Sequence, residues 1–322
     1  MNEFKKLIKN KLEMIIGDDI RVDVRDVTKN NNVTKCAVCF IEKNSVASPT
    51  IYIDKFYEEY KDGRNIKDIC DDIMDIYARC IKVPNLPFEP DEIYDYKKVK
   101  NYVSYKIINF EMNREMLKSV PHFKYLDLAV VFYLVINEGK IGNASVIVQN
   151  SLLEYWDIPI TKLKTDAFLN TQHKYPAKIT RMDDIISEFI MEDLNNYKIE
   201  GEDAINSDLV SPERIEEIVR EEMGYTNMEN IDMYVLTNSI KFNGATCITY
   251  PKVLEKFAKE HNSDICIIPS SVHEVILVPV DSIDRNNIDN MIKEVNSNEL
   301  ENIDILSDHV YIYKRALKDI VY

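Results

Sequence analysis

Part of this chain occurs twice. Residues 132–156 (FYLVINEGKIGNASVIVQNSLLEYW) align without a gap on residues 233–257 (MYVLTNSIKFNGATCITYPKVLEKF), at an offset of 101. Tyr133, Asn137, Lys140, Ala144, Ile147, Leu153 and Glu154 recur as Tyr234, Asn238, Lys241, Ala245, Ile248, Leu254 and Glu255. A repeat of this length names the unit from which a fold is built and constrains it more than composition does. In the first of these copies FYLVIN and ASVIVQ read as two strands around a turn with Gly139 and Gly142, and SLLEYW reads as a helix. In the second, MYVLTN and ATCITY predict a hairpin around Phe242-Asn243-Gly244, and Pro251 opens the following helix. A worn copy precedes both, at about 36–60: PTIYIDKFYEEY sits over ASVIVQNSLLEY, again a strand leading into a helix.

The segments between the copies carry ordinary signals. Phe4, Leu7, Ile8, Leu12 and Ile15 predict one face of an amphipathic helix ending at Gly17. IRVDVRDV and CAVCFI are alternating stretches separated by Asn30-Asn31-Asn32, and asparagine tolerates left-handed turn backbone. Ile66, Ile69, Ile73, Ile76, Tyr77 and Cys80 predict a helix over 65–80, with Asp68, Asp71, Asp72 and Asp75 on its other side. Residues 83–100 read as a connection, 126–136 as a buried strand, and 157–181 as irregular. Met182–Leu194 is helical by period, 195–210 has the composition of a loop, and Ser211-Pro212 opens another helix. DICIIPSS, HEVILVPV and HVYIYKR read as strands, with a helix at 282–296. These elements predict an α+β fold of repeated β-hairpin-plus-helix units, with mostly antiparallel mixed sheets and helices packed on them. Three units are expected: 1–82 with the worn copy, 83–200 in the middle, and 201–322 at the C-terminal end.

Glycine is scarce, at 7 residues, and neither GxGxxG nor GxxxxGK[ST] is present, which argues against dinucleotide and P-loop folds. A formal net charge of −15 disfavours direct binding to nucleic acid and to anionic membrane surfaces. No signal-peptide-like or membrane-spanning stretch is visible, since the longest apolar run, Leu128–Ile136, is too short to cross a bilayer. Six irregularly spaced cysteines give no disulfide framework. The expected location is the cytoplasm.

The phrases LVINEGKIGNASVIV, MYVLTN, GATCITYPKVLEKFA, DICIIPSSVHEVILVP and PTIYIDKFYEEYKDGRN resemble the uncharacterised domain-of-unknown-function 5688 family of anaerobic Firmicutes, over almost the whole chain. In its order of strand-helix units the chain is also distantly similar to the domain-of-unknown-function 1444 family. Neither resemblance implies an activity, a cofactor or an active site.

Two clusters attract a chemical reading. Cys36 and Cys39 have the internal spacing of a zinc half-site, and Cys70 and Cys80 would complete four thiolates, although that second pair lacks the short spacing of a structural site. In a strand, however, the first pair points to opposite faces, and cysteine commonly packs as a small hydrophobe. Ser270, Ser271, His273 and Glu274 bring a hydroxyl, an imidazole and a carboxylate together between two apolar strands. Neighbours in one extended segment rarely aim a base at a nucleophile, and no GxSxG elbow is present, so a polar turn is the plainer reading. On that reading Ser271→Ala and His273→Ala should leave stability nearly unchanged. The acidic helix face reads as solvated, Asn137 and Asn238 as turn residues, and Trp156 as core. No cofactor or metal is expected. The first functional expectation is an acidic, non-enzymatic interaction or regulatory protein with a protein partner. The alternatives are a hydrolase-like or small-molecule-processing enzyme with its site near Ser270–Glu274, and an acidic nucleic-acid mimic that inhibits a basic protein.

Overall fold

A computed structural model describes residues 1–17, 19–42, 50–80, 87–137, 144–188, 232–280 and 300–322. The fold is α+β, with helices packed on three antiparallel sheets. The chain forms two compact units, Met1–Thr171 and Gln172–Tyr322.

The first unit begins with α1 (Asn2–Ile16), which Gly17 ends at φ 79°, a left-handed value natural to glycine. Phe4, Ile8 and Leu12 are its buried line, whereas Leu7 and Ile15 are exposed. The apolar face is thus narrower than the sequence predicts: Phe4, Ile8 and Leu12 meet the shared core of sheet and helices, and Leu7 and Ile15 lie outside that line. β1 (Ile20–Thr28) and β2 (Thr34–Glu42) form a hairpin around a 3-10 turn at Asn30–Asn32, with Asn31 and Asn32 at positive φ. β3 (Thr50–Tyr52) pairs with β2, and α2 (Asp54–Lys61) and α3 (Ile66–Cys80) follow. Val22, Cys36, Val38 and Phe40 from the sheet pack against α1 and against Ile69, Cys70, Ile73 and Tyr77 of α3. Cys70 therefore takes a core place on the helix, while Cys80 is half-buried at its end.

The second sheet of this unit is organised by β6 (Leu128–Asn137). Residues Leu128 to Val135 are buried without interruption, as expected of a strand covered on both faces. β4 (Val103–Asn109) lies on one side of it, and β5 (His122–Tyr125) and β7 (Ala144–Ile147) share the other. The region expected as a bare connection contains short helical turns, Pro90–Tyr94, α4 (Tyr96–Val99) and Lys100–Tyr102. α5 (Arg114–Leu117) joins β4 to β5, and α6 (Asn150–Trp156) follows β7. The turn with Gly139 and Gly142 lies outside the described residues.

Residues 157–181 are not irregular. They form α7 (Ile160–Lys174) and β8 (Ala177–Arg181). The helix was hidden in the sequence because its buried line is Leu163, Ala167 and Thr171, which a hydrophobic pattern barely registers. Its task is to seal the outer edge of β4. Thr171 Oγ1 accepts the Tyr105 N–H (3.1 Å), the Asn170 amide donates to the Val103 carbonyl (2.9 Å), and Phe168 stacks on Tyr105 at 4.0 Å.

The second unit holds a six-stranded antiparallel sheet in the order β13-β12-β10-β11-β9-β8. Its other strands are β9 (Tyr234–Asn238), β10 (Ile265–Ile268), β11 (Val275–Pro279), β12 (Tyr311–Lys314) and β13 (Asp319–Val321). The hairpin expected between MYVLTN and ATCITY is not formed: Gly244–Thr249 is a 3-10 helix, and α8 (Val253–Glu260) starts two residues after Pro251. The cause is sheet topology. A strand has two edges, and those of β9 are taken by β8 and β11. ATCIT therefore finds no ladder and closes its hydrogen bonds locally. Residues 182–188 are helical. The remainder of the helix expected to Leu194, the loop expected at 195–210 and the helices expected from Ser211 and at 282–296 fall outside the described residues.

The two sheets of the first unit are joined by a buried amide pair. The Asn31 N–H donates to Asn113 Oδ1 at 2.8 Å, and the Asn113 amide donates to Asn31 Oδ1 and to the Asn109 carbonyl, both at 2.8 Å. Asn113 is only 2% exposed, so its removal strands several polar groups. Asn113→Ala is expected to lower the unfolding free energy by about 2–3 kcal/mol. Urea titration followed by circular dichroism measures this; a change under about 0.5 kcal/mol, the level of an inert surface substitution, would refute the role assigned to the pair.

Candidate functional site

The polar residues that interrupt DICIIPSS and HEVILVPV form the turn between β10 and β11. This turn meets the loop after β9 in the second unit. Asn238, last in β9, organises that loop: its Oδ1 accepts the Ile240 and Phe242 N–H groups (3.1 and 3.3 Å), and its amide donates to the Phe242 carbonyl (2.8 Å). Lys241 and Asn243 adopt positive φ, which so tight a loop requires. Asn137, which aligns with Asn238 in sequence, ends β6, with its side chain outside the described set.

His273 bridges two elements through its ring. Nδ1 accepts the Asn243 main-chain N–H at 3.1 Å, so the ring proton resides on Nε2, which faces Asp304 Oδ1 at 3.4 Å. The Phe242 ring lies 5.2 Å from the imidazole. The main chain of the same segment is held as firmly. Thr237 Oγ1 donates to the His273 carbonyl (2.8 Å), the Val272 N–H donates to the Asp304 carbonyl (2.8 Å), and the Ala245 N–H donates to the Val272 carbonyl (3.3 Å). Ser271 Oγ accepts the His273 N–H at 3.0 Å, and the Ser271 N–H donates to the Glu274 carbonyl at 3.1 Å. Ser271 is buried, whereas Ser270 and Glu274 are half-buried at the ends of the turn. Ser271 and His273 are thus joined through backbone and hydroxyl, and both ring nitrogens of His273 face groups other than that hydroxyl.

Gly244 allows this approach. A Cβ there would lie 2.1 Å from Thr237 Oγ1, 2.4 Å from the His273 carbonyl oxygen and 2.8 Å from the Asn238 nitrogen. Two of these are main-chain atoms, which cannot swing aside. Beneath the loop, Cys247 donates its thiol to the Thr237 carbonyl, and burial pushes its pKa up to about 12, which makes it a packed thiol rather than a nucleophile.

The other sequence-derived cluster lies in the first unit. Cys36 is in the core with Val38 and Phe40, while Cys39 projects from the opposite face and meets Thr50 Oγ1 at 3.6 Å. Burial raises the thiol pKa of Cys36, and that of Cys70 to about 11. Among the described residues no three His, Cys, Asp or Glu side chains converge as metal ligands. On α3, Asp68, Asp71 and Asp75 are exposed, and Asp72 is bridged to Arg64, which also holds Glu59 (2.6 Å each). Trp156 is buried, and its indole donates to the Ile93 carbonyl at 2.8 Å.

Sequence reasoning missed Asp304, Thr237 and Asn243 as members of the His273 cluster, and no motif marks them. It also missed Asp166, which accepts from Tyr96 and Lys162 at 2.7 Å each. Burial works to raise the Asp166 carboxyl, but the Lys162 and Tyr96 bonds outweigh it and hold its pKa below the usual carboxylate value.

Comparison with known proteins follows from the whole chain. A family model described as "Family of unknown function (DUF5688)" matches residues 1–315, and the chain belongs to that family. No curated protein and no solved structure matches it. Among the described residues no helix is long and apolar enough to cross a membrane.

Two substitutions read out this geometry. Gly244→Ala should cost about 1–3 kcal/mol or more, because main-chain atoms of β9 and of the 271–274 turn must separate; an unchanged melting temperature would show that the contact is slack. Contrary to the expectation from sequence, His273→Ala should also destabilise, by about 1–2 kcal/mol, because it removes the acceptor of the Asn243 N–H. Equal urea midpoints for His273→Ala and the wild type would remove the ring from this structural role.

Proposed function

We propose that this member of the DUF5688 family is a non-enzymatic, acidic interaction protein of the cytoplasm, whose partner is another protein. The observation that supports this reading is the internal use of the polar cluster. His273 Nδ1 is committed to the Asn243 N–H and Nε2 faces Asp304, while Ser271 Oγ accepts from the main chain beside it. Nucleophilic catalysis needs an imidazole nitrogen aimed at the hydroxyl and a third group orienting the ring. Here the third group is present, and the nitrogen that would activate the serine is spent on a peptide. The formal charge of −15 adds a surface suited to a basic partner rather than to phosphate.

The enzymatic alternative is tested directly. The purified chain is expected to give no turnover above buffer with a panel of activated esters, phosphate esters and glycosides. Hydrolysis abolished by Ser271→Ala, in a variant that keeps its fold by circular dichroism, would overturn the proposal. Affinity capture from the native host under moderate salt should return a specific partner at near-stoichiometric amount, and a blank result would count equally against the reading.

A further inference from the structure

Most strand edges of the first unit are short or covered. β3 spans three residues, and α7 seals β4. β1 is different: it is nine residues long, and in its sheet it has β2 on one side only. Which backbone groups point outward follows from the hairpin. The Lys29 N–H donates to the Val33 carbonyl, so Lys29 and, by alternation, residues 27, 25, 23 and 21 aim their peptide groups at β2. Ile20, Val22, Val24, Asp26 and Thr28 aim theirs away. Among the described residues none of these five outward positions has a main-chain hydrogen-bond partner beyond the sheet. A long open edge of this kind is a template for another strand.

The charges of β1 specify which strand fits. We infer that β1 pairs antiparallel with β1 of a second copy of this chain, about a two-fold axis at Val24, to give one continuous six-stranded sheet. In this register Val24 faces Val24, Ile20 faces Thr28, and all nine residues overlap. The outward groups of residues 20, 22, 24, 26 and 28 then meet one another, as an antiparallel ladder requires. Asp23 faces Arg25 of the other copy, and this contact occurs twice, as in any isologous interface. Both side chains are accessible, at 34% and 61%, and within one chain they face each other at 3.7 Å, Arg25 Nε to Asp23 Oδ2, so the contact across the axis extends this pair into a four-charge cluster. Neighbouring registers of the same phase are penalised. A shift of one residue per strand toward the N-terminus sets Asp23 against Asp23 and Arg21 against Arg25, and the opposite shift sets Arg25 against Arg25. Like charges directly opposite are destabilising, so charge selects the register. Charged residues also guard edges against promiscuous pairing; here the order Asp23-Arg25 is self-complementary when reversed about Val24.

Sedimentation velocity of the full chain at tens of micromolar is the test. The wild type should sediment as a dimer. Asp23→Arg and Arg25→Asp should each weaken association at least tenfold, since each places like charges opposite. The double variant D23R/R25D re-creates the pairing with signs exchanged and should restore the dimer. A monomeric wild type, single variants that stay dimeric, or a double variant that stays monomeric would each overturn the inference. Circular dichroism checks that the variants are folded. If a charge reversal prevents folding, a mixture of D23C and R25C chains decides instead: oxidation should give a mixed disulfide dimer that neither chain forms alone, and no mixed dimer would refute the register.

Discussion

Buried turn peptides must be hydrogen-bonded, and this demand governs how both units are put together. Where the chain leaves a strand inside a packed region, side chains supply what a ladder no longer can. Asn113 serves the turn after β1, Asn238 the loop after β9, and His273 the peptide of Asn243. Each is a residue with both polar capacity and a short, easily fixed side chain. Asn113 and His273 also tie elements that are distant in sequence, so their turns double as joints between sheet and loop. Gly244 is the complement of these residues: it adds no bond and instead leaves the space in which two main-chain segments meet.

The same demand bears on function. Serine, histidine and carboxylate in one short segment attract a catalytic reading because those groups do chemistry when they are free. In the 270–274 turn the Ser271 hydroxyl and the His273 ring are held by neighbouring peptides and by Asp304, which rigidifies the turn. A rigid, well-satisfied loop is suited to presenting a fixed surface, and this agrees with an interaction protein more readily than with a hydrolase. The long open edge of β1 is a second feature of that kind, located in the other unit.

Legibility differed by element. β6, α1, α3, β10 and β11 were readable because their periodicity reflects burial on one or both faces. α7 was not, because a helix that meets the sheet edge through Leu163, Ala167 and Thr171 needs small and polar residues there, and these leave little hydrophobic period. The 3-10 helix at Gly244–Thr249 was misread for a different reason. Its residues match those of β7 in type, and the deciding fact is that β11 occupies the β9 edge. At the candidate site Ser271 and His273 were legible, whereas Thr237, Asn243 and Asp304 were not, since contacts spanning 30 or more residues leave no local pattern.

From its own letters the chain determined the α+β class, the faces of its long helices, the buried strands and the left-handed asparagine and glycine turns, because each rests on local sterics or on the period of burial. It determined, too, a net charge of −15 and the absence of phosphate-binding glycine motifs. Only the tertiary structure decided which strand takes which edge, and therefore that residues 244–249 become a 3-10 helix rather than a strand. It also decided where the polar side chains spend their hydrogen bonds. Both outcomes depend on competition among segments far apart in sequence for a single partner, and a local pattern carries no record of which competitor wins.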